Sequence, residues 1–331
     1  MKDLGKVSVT WITVGKEVET QRLDNFLVKT LKGVPKSRIY RMVQGGEARV
    51  NSRRVEPGYR LQAGDKIRIP PVRTASPAKV SAPSAKALQF APLIQILLED
   101  DGLLVVDKPA GIAVHGGSGI SWGVIELLRA QRPAADFLEL VHRLDRDTSG
   151  ILLLAKKRSV LTVLHRQLRE GEVDKRYWVL VQGHWSGGKK VVEAPLHKYV
   201  TASGERRVSV HAEGRPCRTV FRPLRRWRGC ALLEAELGTG RTHQIRVHLN
   251  HLGHPIAGDG KYGDFAWNRE LAKQGLGRMF LHAKSMTFCH PQTGIETKVE
   301  APLPEELEVF LTALLPIASP KDTLIYSHFD R

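Results

Sequence analysis

The chain has 331 residues, 42% of them hydrophobic, enough for a small domain and a larger one, each with its own core. Its 51 Lys and Arg against 34 Asp and Glu leave a net charge of +17, which points to a polyanionic partner, nucleic acid or an acidic membrane surface. Cys217, Cys230 and Cys289 form no disulfide framework, no run approaches the roughly 18 apolar residues of a membrane span, and the opening MKDLGKVSVTWITV lacks a signal-peptide core; the expected compartment is the cytoplasm.

Charge is concentrated at the start. Residues 1–90 hold 18 Lys and Arg against 7 Asp and Glu, a surplus of 11 that marks a dedicated binding module. Within it, Leu23, Phe26, Leu27 and Leu31 recur at helical spacing. A second helix is predicted from Ser37, with the Ser37 hydroxyl as its cap and Ile39, Met42 and Val43 turned inward. Short strands are predicted at Ala48–Val50, Tyr59–Leu61 and Lys66–Ile69. Lys36, Arg38, Arg41, Arg49, Arg53 and Arg54 fall on the second helix and the strand after it and are expected to form one basic face, suited to a polyanion.

Residues 70–92 contain five prolines and no acid, and read as a flexible Pro/Ala/Ser linker. From residue 93 strand and helix patterns mix. Strands are predicted at Leu103–Val106, Ile151–Ala155, Tyr177–Gln182, Ala231–Leu237 and Ile245–Leu249, and helices at Val124–Arg129 and Val160–Glu170. The expected fold is α+β: residues 20–69 as the small domain, then residues 93–316 built on a mixed, mainly antiparallel sheet with flanking helices. Residues 317–331 read as a polar tail.

One segment, Val141 to Gly150, is dense in charge and runs directly into the apolar Ile151–Ala155. It is expected at the edge or mouth of the sheet, as a loop that either carries reactive groups or pairs Arg143 and Arg146 with Asp145 and Asp147. His248, His251 and His254 are spaced by three, but no Cys or carboxylate accompanies them and Gly253 and Pro255 break a continuous helix; no metal site is expected. Gly116-Gly117 is followed by no G-K-[ST], so there is no phosphate-binding P-loop.

Gln21-Arg22-Leu23-Asp24, Ser37-Arg38 and Gly46-Glu47-Ala48-Arg49-Val50-Asn51 resemble the S4 RNA-binding domain. HRLDRDTSG at residues 142–150 resembles the active-site motif of the RluA-type pseudouridine synthases. Lys175-Arg176-Tyr177, the run Gly240 to His248, Gly253 to Asp259 and Leu281-His282-Ala283 fit the same family. Lys108 to Gly117 and Phe137 to Leu140 narrow the resemblance to members acting on the large ribosomal subunit.

The resemblance implies isomerisation of uridine to pseudouridine in 23S ribosomal RNA, without a cofactor and by a monomer. Asp145 would be the nucleophile, Tyr177 the ring packed on the target base and Arg246 the partner of the aspartate. Arg143 would fill the space the base vacates, Arg241 and His243 would contact RNA, and Asp147 would cap the turn. The residue types suit the reaction, which breaks N1–C1′, turns the uracil and rejoins it through C5. A carboxylate there is compatible with attack on uracil C6, attack on C1′, or a glycal-like route. An arginine can aim it, and a planar ring can stack on a flipped base for about 1–3 kcal/mol. Two other readings stand beside this one: a non-catalytic RNA-binding or ribosome-assembly protein that keeps the fold, and a metal-dependent nuclease or deaminase. The second lacks clustered carboxylates and an H-x-E with P-C-x-x-C.

Overall fold

A computed structural model describes residues 9–15, 18–31, 33–72, 89–116 and 122–315. Most of the segment read as a linker, and the C-terminal tail, lie outside these. The chain divides into two compact units, residues 1–82 and 83–331.

In the first unit, β1 (Thr10–Thr13) precedes α1 (Leu23–Thr30), α2 (Lys36–Gln44), β2 (Arg49–Val50) and β3 (Lys66–Ile69). The strands form an antiparallel sheet in the order β1-β3-β2. Leu23 and Leu27 of α1 meet Ile39, Met42 and Val43 of α2 in one core with Ile67 and Ile69 of β3. Asp24 ties the helices together: it accepts from Arg22 at 2.8 Å and from Tyr40 at 2.8 Å. The Arg22 bond, aided by Tyr40 and the Asn25 amide, holds its carboxyl down at about 2 against the opposing effect of burial.

Two local expectations fail. α2 starts at Lys36 with Pro35 as its N-cap and no side-chain cap, so Ser37 is not the cap. Proline's fixed φ already suits the helix entry, and the Pro35 carbonyl takes the Arg38 and Ile39 amides. Tyr59–Leu61 is not a strand: Tyr59 and Leu61 bond back to residues 20–23 and reach no sheet beyond one isolated bridge, Arg22 to Arg60.

The second unit holds β4 (Gln95–Glu99), β5 (Leu103–Lys108), α3 (Val124–Gln131), β6 (Glu139–Leu140), β7 (Ser149–Ala155), α4 (Arg158–Glu170), β8 (Asp174–Gln182) and β9 (Lys190–Val192). These are followed by β10 (Leu196–Val200), β11 (Arg206–Val210), β12 (Thr219–Trp227), β13 (Cys230–Leu237), α5 (Gln244–His251), α6 (Phe265–Lys273), β14 (Leu281–Cys289), β15 (Glu296–Glu300) and α7 (Glu305–Ala313). The main sheet runs β4-β5-β7-β14-β8-β13-β12-β9, with β15 on β14 and β6 on β7. Every pairing is antiparallel except β7 with β14. β10 and β11 form a separate hairpin.

Helices cover both faces, which explains why the strands read as nearly unbroken apolar runs. Strand alternation sends Leu104, Val106, Leu152, Leu154, Val179 and Leu233 to the face covered by α3 and α5. It sends Leu103, Val105, Leu153, Leu180 and Leu232 to the face covered by α4, α6 and α7. The predicted strand Ile245–Leu249 is therefore wrong: it is α5, with all six residues from Gln244 to Leu249 buried. Phe90, within the segment read as a linker, packs on the α3/α5 face and so belongs to the second core.

At Gly150, φ is +107° and a Cβ would lie 2.3 Å from the Ala283 carbonyl oxygen, across the parallel β7–β14 pairing. Only glycine fits there. Gly150→Ala is expected to cost about 3 kcal/mol or more and to lower Tm by roughly 6–12 °C in a thermal melt.

Candidate active site

The charged loop 141–148 lies at the mouth of the sheet, entering β7, which is an interior strand rather than an edge. Its ends are anchored. The His165 ring nitrogen Nε2 is 3.0 Å from the Val141 carbonyl, His142 Nε2 accepts from the Leu153 amide at 3.1 Å, and Leu144 inserts into the core. Burial, aided by Lys175, pushes His142 down to about 4, which keeps it a neutral acceptor.

The middle of the loop is pinned from below. Lys108 is fully buried, and its ammonium donates to the carbonyls of Pro109, Ile112 and Arg146 at 2.8, 3.0 and 3.0 Å. The Gly111 amide donates to the same Arg146 carbonyl. Burial, with Arg278 nearby, pushes Lys108 down to about 7. Held this way, the loop presents the Asp145 side chain, about a quarter exposed, to a cleft.

Arg246 reaches that carboxylate from α5, with Nη1 donating to Asp145 Oδ2 at 3.0 Å. The rest of its fork is fixed by the fully buried Asp259, which accepts from Nε at 2.8 Å and Nη2 at 2.7 Å. A bidentate pair sets the plane of the guanidinium, so the remaining edge can point only at Asp145. Burial opposes the charge on Asp259, but Arg246 and the Lys261 and Tyr262 amides outweigh it and hold its carboxyl below the ordinary range. Arg246 stays charged for the same reasons, and Tyr262 lies beneath it with the guanidinium 5.1 Å from the ring centre.

The entry to α5 is built on Gln244. Its side-chain oxygen accepts from Thr239 and the Arg241 amide, and its nitrogen donates to the Arg218 carbonyl and Thr219. His248 continues the network to Thr219 at 2.9 Å and the Ala194 carbonyl at 2.9 Å. His254 is bound to the Gln182 carbonyl at 2.9 Å. Among the described residues no group of three or more His, Cys, Asp or Glu is arranged to hold a metal ion.

Tyr177 on β8 is buried beside the aspartate, paired across the sheet with Ala235 and Ala283. Those short neighbours keep space beside the ring. Burial, and then the Asp145 charge, raise its phenol above the ordinary value, so it is neutral. It lines a recess of about 80 Å³ with Leu237, Leu281, Asp145 and Arg246. The recess adjoins a cleft of about 810 Å³ that Arg143, Arg241, His243 and Lys261 also line. An apolar floor, a neutral ring and one aimed carboxylate can hold a planar base against an ionised oxygen; the outer cations can hold phosphates.

The loop is self-paired only in part: Arg146 pairs with Asp147 at 3.1 Å, while Asp145 pairs with Arg246 from outside the loop. Arg143 is exposed and makes no side-chain hydrogen bond to a described residue, which leaves its guanidinium open to the cleft. In the first unit Lys36 and Arg53 are exposed and make no side-chain hydrogen bond to a described residue, and exposed Arg41 lies close enough to Glu47 for its charge to act on that carboxylate. Arg38 is taken by Glu47 in a bidentate pair at 2.7 and 2.6 Å, and exposed Arg49 donates to the Gly46 carbonyl at 3.1 Å. Sequence reading overlooked Asp259, Tyr262 and Lys108 as separate contributors. Asp259 and Lys108 were visible only as one letter of a longer motif, and Tyr262 lay outside every motif.

The chain belongs to the RNA pseudouridylate synthase family. The family's model matches residues 102–251, and the S4 domain model matches residues 21–67. Among curated proteins it is 53% identical over 309 residues to ribosomal large subunit pseudouridine synthase C of Pasteurella multocida, covering 93% of this chain and 94% of that one. The Yersinia pestis protein of the same name is 53% identical over 307 residues, covering 92% and 96%. Among solved structures, human RNA pseudouridylate synthase domain containing 4 is 27% identical with a TM-score of 0.55, covering 70% of this chain and 97% of that one.

Proposed function

We propose that this chain converts specific uridines of large-subunit (23S) ribosomal RNA to pseudouridine, with Asp145 as the nucleophile on a flipped-out uridine. The observation that carries the reading is the buried Asp259–Arg246 pair aimed at Asp145 above the Tyr177 recess. Tyr177 packs against the extruded base, and Arg143, with no side-chain hydrogen bond to a described residue, fills the gap left in the RNA stack. Arg241 and His243 line the path by which the strand enters. The likeness to enzymes named for the large ribosomal subunit supports the choice of RNA. Isomerisation consumes no electron and no energy source, so the reaction calls for no cofactor; we read the protein as a cytoplasmic monomer.

Large-subunit ribosomal RNA carrying tritium at uridine C5 provides the test, since C5 gives up its hydrogen only when it becomes the sugar-bonded carbon. Wild-type protein is expected to release tritium equally with and without EDTA. RNA binding without release would favour the binding-only alternative, and loss of release on chelation would favour a metal-dependent enzyme.

Affinity for this RNA is expected to fall steeply with salt as Lys and Arg displace counterions from phosphates. Removing residues 1–82 takes away Lys36, Arg41, Arg49 and Arg53 together. It should flatten the plot of log affinity against log salt by about 3 in slope, at roughly 0.7 per lost phosphate contact. Filter binding at several salt concentrations measures this, and an unchanged slope would show that the first unit supplies none of the electrostatic grip.

A further inference from the structure

We propose that His243 donates a hydrogen bond to the uracil as it parts from the sugar, and that Tyr262 sets the histidine tautomer required. The inference rests on the reading of this cleft as a uridine isomerase site.

His243 is the N-cap of α5, with φ at +55° in the left-handed region. A non-glycine residue there costs strain that is commonly retained at functional sites. The ring lines both the cleft and the recess. Its Nδ1 is 2.7 Å from the Tyr262 hydroxyl, and that hydroxyl oxygen is 3.0 Å from the Val208 amide nitrogen. A backbone amide can only donate, so the Tyr262 oxygen accepts from Val208, and in the tautomer we propose its own proton goes to His243 Nδ1. That tautomer carries the single proton of the neutral imidazole on Nε2.

Among the described residues that Nε2–H has no other taker. It lies 3.8 Å from Asp145 Oδ2, beyond hydrogen-bond range, and borders the space between the carboxylate and the cleft. The groups facing the ring are Asp145 from its loop, Arg246 from α5, and Lys261, Asp259 and Tyr262 from the turn after α5. Burial and the two nearby cations keep the imidazole below its ordinary value despite the two carboxylates, so it is a neutral donor near pH 7. Arg246 directs its fork at Asp145 and Asp259, which leaves His243 as the donor beside the nucleophile.

The chemistry needs such a donor. When N1–C1′ breaks, the electron pair stays with the uracil and spreads over N1, O2 and O4. A fixed N–H aimed at that charge stabilises it without moving a proton, in the manner of an oxyanion hole. The proton on Nε2 remains there throughout.

The test is single-turnover tritium release together with RNA affinity. His243→Asn tolerates the left-handed backbone and keeps a polar group near the Nδ1 position, but has nothing at Nε2. Its saturated rate is expected to fall about 100-fold, with RNA affinity within about threefold of wild type. His243→Gln places an amide N–H near the Nε2 position and should recover to within about tenfold of wild type. Tyr262→Phe keeps the ring under Arg246 but frees the tautomer, for a loss of about threefold to tenfold. An Asn variant with the wild-type saturated rate, a loss confined to affinity, or a Gln variant as slow as Asn would each overturn the inference. If the Asn variant does not fold, Tyr262→Phe decides: a wild-type saturated rate overturns the proposal. A wild-type protein that releases no tritium overturns the parent reading, and this one with it, so the two failures are distinct.

Discussion

Asp145→Asn is expected to slow pseudouridine formation by about 10⁴-fold or more in single turnover, while Tm stays within about 2 °C and RNA affinity within about threefold of wild type. The side chain is a quarter exposed and only its Oδ2 is bound to Arg246. An amide oxygen can accept that same hydrogen bond, so the fold does not depend on the charge. The chemistry does, because an amide neither attacks an electron-poor carbon nor stabilises a cationic sugar. Retention of more than about a tenth of the rate would remove Asp145 from the bond-making step. Circular dichroism melts and filter binding on the same preparations separate a lost nucleophile from a lost fold.

Arg246→Met is expected to damage both stability and activity, for a different reason. It strips Asp259, a fully buried carboxylate, of its bidentate partner. Leaving such a charge unpaired costs about 3–5 kcal/mol, which corresponds to roughly a 10 °C fall in Tm. The pH dependence has a definite sign. In the wild type Asp259 titrates below the ordinary carboxylate value. Its stabilising contribution is complete above the unfolded value and is lost as pH falls through the lower folded one. In the variant burial is opposed only by the Lys261 and Tyr262 amides, so the folded value rises. The stability deficit against wild type should therefore be largest near neutrality and shrink on acidification, as Asp259 takes up a proton. The double variant Arg246→Met, Asp259→Leu should regain most of the stability but none of the activity, since nothing then aims Asp145. A single variant equally destabilised at pH 5 and pH 8 would show that the buried charge is not the cause.

These two residues also show how far the sequence could be read. The place of Asp145 in the cleft was legible only through its motif resemblance, since the charged loop read equally as a salt-bridged turn. The strands Leu103–Val106, Ile151–Ala155, Tyr177–Gln182 and Ala231–Leu237 were legible because a sheet covered on both faces needs continuous apolar runs. Ile245–Leu249 was misread for a related reason. Ile245, Val247 and Leu249 alternate with Arg246 and His248, which is the pattern of a strand with one wet face. In the helix those polar side chains are not wet. Arg246 points into the site and His248 into a buried hydrogen-bond network, so the rule that polar means exposed fails where the function lies.

Asp259, Lys108 and Tyr262 were illegible for another reason. Their importance comes from partners distant in sequence: Arg246 for Asp259, the Arg146 carbonyl for Lys108, and the Val208 amide for Tyr262. The basic face of the first unit was only half legible. Spacing located its cations, but not that Arg38 is paired with Glu47 while Lys36 and Arg53 stay exposed.

The most direct test is a map of pseudouridine in large-subunit ribosomal RNA that lacks it, made with wild-type protein and Asp145→Asn side by side. Carbodiimide labelling followed by primer extension gives a stop at each modified position. New stops at a small number of defined uridines with wild type, and none with Asp145→Asn at equal RNA occupancy, are predicted. Stops with both proteins, or with neither despite tight binding, would contradict the assignment of Asp145 as the nucleophile of an RNA isomerase.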